Sequence, residues 1–94
     1  MDSKQQKLIS DMKKWPKGLQ QVMVTADKCV KHLVSKGQPH DKAESTVLEI
    51  IKESASDIQA QRYNTVITLL EITFLDKDVS EINIGKILKD YSHE

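Results

Sequence analysis

Cys29 and His32 fall three residues apart, so one turn of helix would set a thiol beside an imidazole. Such a pair can act as a nucleophile and its base, or give a metal two ligands. A metal needs three or four ligands. The other histidines, His40 and His93, fall in a loop and near the last residue. Cys29 also borders an apolar stripe, where a free cysteine behaves as a small hydrophobe. The expectation is a core cysteine, with no metal. The carboxylates occupy helix starts and polar faces, and none forms a pair in an apolar setting that would suit acid–base work. The three glycines are scattered, without a phosphate-cradling loop or a dinucleotide fingerprint, and no serine has a plausible triad around it. The reading is of a chain that is not an enzyme, with no catalytic residues and no cofactor.

Lysine carries the remaining chemistry. Lys13, Lys14, Lys17, Lys28 and Lys31, with His32, form the candidate partner-binding set. Lys17, Lys28, Lys31 and His32 fall on one side of a helix at about 100° per residue. Residues 1–40 hold eight lysines against three aspartates, a net +5, and residues 41–94 carry −5, so the whole is neutral. Either the halves attract each other across one fold, or they leave a bipolar surface that steers a charged partner. The function expected is a non-catalytic protein–protein interaction module, such as an adaptor, secretion-type chaperone, inhibitor or immunity protein. Its partner would be another protein or a second copy in a homodimer. The alternative is a DNA- or RNA-binding regulator using the lysine surface, with Trp15 at its edge to stack on a base. The stretch DVSEINIGKILKDY has the shape of a short turn feeding a helix, as in helix-turn-helix units. Neutral overall charge and a single arginine, Arg62, weigh against that alternative.

Helices must position these residues. A first helix is expected over Ser3–Lys14, with Leu8, Ile9, Met12 and Trp15 on one face. Within KKWPKG, Pro16 ends it and pre-sets the next, Gly18 eases the bend, and Trp15 packs inward. The second helix opens near Pro16 to Gly18, carries Leu19, Val22, Met23, Ala26, Val30, Leu33 and Val34, and closes at Lys36-Gly37. Asp41 and Glu44 fit a capping box for a third, which carries Ala43, Val47, Leu48, Ile51, Ala55 and, if it runs on, Ile58 on one side. Residues 54–64 are open to two readings. Either that helix runs on to Arg62 and turns at Tyr63-Asn64, or it stops at Ser54–Ser56 and a new one starts with Asp57. TVITLLEITFL lacks strict alternation and reads as a helix apolar nearly all round, hence the central one. Asp76 to Asn83 is a polar break anchored by Val79 and Ile82. Ile84, Ile87, Leu88 and Tyr91 make the stripe of the last helix.

Ala60-Gln-Arg-Tyr63-Asn-Thr-Val66 with Leu69-Leu70-Glu71 resembles the opening helix of a tetratricopeptide unit. The resemblance covers about a dozen residues, has Val66 where that unit has a small residue, and lacks a second copy at a spacing of about 34. It implies a turn at Tyr63-Asn64. The fold class expected is all-α, a small bundle or compact array of four to five short helices in one domain over residues 1–94. The expectation for residues 1–15 is a helix prone to fraying, and for residues 92–94 a flexible tail. The core is expected from Leu19, Val22, Met23, Ala26, Val30, Leu33, Val47, Leu48, Ile51, Val66, Leu69, Leu70, Ile87 and Leu88. A single cysteine argues against a disulfide-stapled secreted fold. With no signal-like apolar segment and no run of 18 apolar residues, the expectation is a cytoplasmic protein with no membrane contact.

Overall fold

The computed structural model describes residues 15–91, apart from the side chain of Val79. The helix expected over Ser3–Lys14, with Lys13 and Lys14, lies outside the described residues, as does the tail at 92–94. The described chain is all-α. It runs α1 (Lys17–Ser35), α2 (His40–Glu53), α3 (Ala55–Gln59), α4 (Tyr63–Phe74), a 3-10 turn (Val79–Glu81) and α5 (Ile84–Tyr91). No described helix is long and apolar enough to cross a membrane.

Proline opens the first two helices, from the N-cap position in each. Pro16 (φ −54°, ψ 145°) and Pro39 (φ −60°, ψ 144°) hold the non-helical backbone that a cap needs. Their carbonyls accept the first helical bonds, from Gln20 N–H at 3.1 Å and Ala43 N–H at 3.0 Å. The expected capping box at Asp41 and Glu44 does not form. Once Pro39 is the cap, Asp41 falls inside the first turn and no side chain caps α2. His40 Nδ1 lies 3.6 Å from Glu44 instead. At the far end of α1, Gly37 takes φ 104°, Gly37 N–H bonds Val34 C=O and Gln38 N–H bonds Leu33 C=O. That is the Schellman closure expected from Lys36-Gly37.

The ambiguous stretch resolves as a stop and a restart. α2 ends at Glu53, and Ser54 is buried with its hydroxyl on Ile50 C=O at 2.9 Å. The five-residue α3 follows and closes in the same Schellman pattern, Gln61 N–H to Ile58 C=O and Arg62 N–H to Asp57 C=O. Gln61 stands where glycine is usual, at φ 61°. The turn therefore lies at residues 60–62. Tyr63 and Asn64 form the first turn of α4, not a connection.

α1 lies against α2 and α4, and α4 also meets α2, α3 and α5, so α4 is the central helix. Val22, Ala26, Cys29 and Val30 of α1, Ala43 and Val47 of α2, and Val66, Leu70 and Phe74 of α4 form the buried core. Leu19, Leu33 and Ile51 pack at its edge. Three expected core residues are exposed: Leu48, Leu69 and Leu88. Among the described residues, the four helices that α4 meets leave part of its apolar circumference uncovered, and Leu69 faces out. Gly18 does more than ease a bend. A Cβ there would run into the Tyr63 ring, 2.8 Å from its Cγ, so the bare glycine lets α1 and α4 close together. Trp15 is half-exposed, and its carbonyl accepts from Gln20 Nε2 at 2.9 Å.

Candidate functional site

Lys17, Lys28 and Lys31 all lie on α1, and all three are exposed. They are not equivalent. Lys31 Nζ lies 3.0 Å from Asp27, one turn earlier on the same helix, in an exposed pair that salt screens. His32 is half-buried and turned toward the end of α4, where its Nε2 lies 3.4 Å from Asp76. Lys36 joins the same carboxylate at 3.0 Å. The Lys36 hydrogen bond, followed by that of His32, holds the Asp76 carboxyl below its usual value. Two members of the expected lysine–histidine set, Lys31 and His32, therefore face acids, and His32 leaves the basic face.

The thiol weighed as a nucleophile is enclosed. Cys29 has no exposed surface, and its Sγ lies 3.7 Å from Leu70 C=O. Burial, followed by the negative charge of Glu71, pushes the thiol up to about 11. A thiol held there carries almost no thiolate at neutral pH. Among the described residues, no three His, Cys, Asp or Glu side chains gather as a metal would need.

Two features emerge that spacing alone does not reveal. The first is a cleft of about 420 Å³ between α1, α4 and the start of α5. Lys28, Lys77 and Lys86 line it with Glu71, and Lys77 Nζ lies 3.4 Å from that carboxylate. Lys28 belongs to the expected set, whereas Lys77 and Lys86 come from the acidic half of the chain and meet it only through folding.

The second is α5. Its apolar residues Ile84, Leu88 and Tyr91 are exposed by 66%, 63% and 42%, while the charged Asp90 is buried. The inversion has a cause. Asp90 accepts hydrogen bonds from Thr65 N–H at 2.7 Å, Thr65 Oγ1 at 3.0 Å and Asn64 Nδ2 at 3.0 Å. Arg62, at the N-cap of α4, gives its own helix no side-chain cap, so Asp90 supplies one from α5. A carboxylate at a helix N-terminus is also favoured by the helix dipole. With Asp90 turned in, Leu88 lies about 160° away around the helix and must point out. Arg62 fixes the end of this face. Its guanidinium sits 5.1 Å over the Tyr91 ring while its Nε donates to Asp57 at 2.8 Å. The 84/88/91 spacing was visible in sequence as a stripe; its direction was not, because Asp90 reads there as one more solvated acid.

Comparison with protein-family models, with curated proteins and with solved structures finds no match to this chain.

Proposed function

We propose that this protein is a non-catalytic protein–protein interaction module, and that α5 is the element that meets the partner. The observation that supports this reading is the outward apolar face Ile84, Leu88 and Tyr91, held out by the Asp90 anchor on the other side of the helix. An isolated exposed leucine is ordinary. Three large apolar side chains at i, i+4 and i+7, one of them an aromatic already fixed by a cation, form a contiguous patch of the kind that partners cover. Eight residues of helix suit a partner that offers an amphipathic helix or a shallow groove. An adaptor, chaperone, inhibitor or immunity protein would all work this way, by complementarity to one partner.

The test is affinity capture from the native cell with the wild-type chain and with Leu88→Glu, both checked by circular dichroism for helix content. A protein retained by the wild type and lost by the folded variant is the expected result. Capture of the same proteins by both, or of none by the folded wild type, would overturn the assignment of α5. A homodimer would show as a sedimentation shift that Leu88→Glu abolishes.

The alternative, a nucleic-acid-binding regulator, is supported by Lys17 and Lys28 standing exposed on the same side of α1. It calls for duplex or single-stranded binding that falls steeply between low and moderate salt and weakens in Lys28→Glu.

A further inference from the structure

We infer that the cleft between α1, α4 and α5 is a binding site for a small phosphate-class oxyanion, a ligand bearing one or two phosphate groups. The site is distinct from the α5 apolar face and does not depend on it.

Charge is the first ground. Lys28 on α1, Lys77 in the loop after α4 and Lys86 on α5 converge on one cavity from three separate segments. Glu71 is its only acid, and Lys77 offsets that charge at 3.4 Å. Lys28 and Lys86 line the cavity from two different helices, and neither forms an ion pair with an acid among the described residues. Two ammonium groups that line one cavity without acids of their own favour an anion between them.

The second ground is the supply of neutral donors. Asn83 accepts the Lys86 N–H through its Oδ1 at 3.2 Å, which leaves its amide NH₂ as a donor at the rim. Asn83 and Lys86, at the start of α5, both line the cavity, so the positive end of that helix lies beside it. Thr25, nearly buried, adds a hydroxyl on the α1 wall. Lysine binds phosphate as a point charge and needs such hydrogen-bond donors beside it to fix orientation.

Size is the third. About 420 Å³ is toward the lower end of small-molecule pockets and ample for a phosphate or diphosphate with part of its hydration shell. The polar lining suits a hydrated anion better than an apolar group.

The experiment is titration of the full chain with inorganic phosphate and with pyrophosphate, followed by backbone amide shifts and calorimetry. Pyrophosphate should move the amides of Thr25, Asn83 and Lys86 in a saturable way and bind more tightly than phosphate. Lys28→Gln and Lys86→Gln should each weaken it roughly tenfold, as loss of one charge-assisted bond implies, while Lys52→Gln on α2 leaves it unchanged. All three positions are exposed, so folding should survive, and an unchanged melting temperature without ligand would verify that. Absence of saturation at millimolar pyrophosphate would overturn the site. So would shifts spread equally over Lys17, Lys31 and Lys52, or binding of a single-stranded oligonucleotide that pyrophosphate does not displace.

Discussion

At the scale of single residues, burial decides which chemistry is open. Cys29 and His32 are neighbours along α1, yet one faces Leu70 in the core and the other faces Asp76 at the surface. With its thiol near 11 and no exposed surface, Cys29 should resist thiol reagents until the chain unfolds. The check is labelling with Ellman's reagent, at a rate that follows global unfolding across a denaturant series. Its replacement by alanine should cost about 1–2 kcal/mol through the small void left behind. Asp76 makes the opposite case, an exposed group whose partners favour its charged form. Its carboxyl titrates below the unfolded value, so the stabilisation is present above that value and is lost as pH falls through the depressed folded one. Asp76→Asn keeps a side chain that tolerates the residue's φ of 57° but removes the charge. The gap in melting temperature between wild type and variant should therefore narrow between pH 6 and pH 3.

At the scale of elements, two contacts carry more than their size suggests. Asp90→Ala leaves the Thr65 and Asn64 donors at the start of α4 without their acceptor. It should destabilise the chain by about 1–2 kcal/mol, in line with loss of a helix cap, measurable by urea unfolding. Gly18→Ala should cost about 1–3 kcal/mol, because the added methyl displaces the Tyr63 ring and overpacks a close contact. Paired with Tyr63→Ala it should cost less than the two changes summed, the sign of a direct interaction in a double-mutant cycle. The helices were largely legible in the sequence because their punctuation is local. Pro16, Pro39 and Gly37 mark ends by backbone chemistry that needs no tertiary context. What was not legible depends on distant partners. The turn at 60–62 uses Gln61 in a glycine conformation, and Asp41 lost its capping role to the proline before it. The facing of α5 was set by a carboxylate 25 residues from its hydrogen-bond donor.

For the molecule as a whole, small size sets the terms. A chain this short has few neighbours to cover every apolar stripe its helices carry, so Leu48 and Leu69 are exposed although their spacing matches that of buried residues, while Leu88 is turned out by the Asp90 anchor. The charge division between the halves is only partly resolved by folding. His32 and Lys36 of the basic half reach Asp76 of the acidic half, yet Lys28 meets two more cations, Lys77 and Lys86, across the cleft. Neither that convergence nor the outward face of α5 could be read from a linear count of charges. Stability should be uneven too. α5 packs chiefly on α4, while α1 and α4 share the core. Amides of α5 should exchange with solvent well before those of Val22–Val30 and Val66–Leu70, as hydrogen exchange by mass spectrometry would show.

The Asp90 clasp also has a consequence in time. Synthesis reaches Thr65 first, and the carboxylate that pairs its N–H follows 25 residues later. At about 5–20 residues per second, that is a wait of about one to five seconds. Throughout that interval the Thr65 N–H at the start of the central helix lacks the acceptor it has in the finished fold. The side-chain acceptor of that first turn is added only once α5 has been made and Asp90 has docked, and the same docking fixes Leu88 toward the solvent.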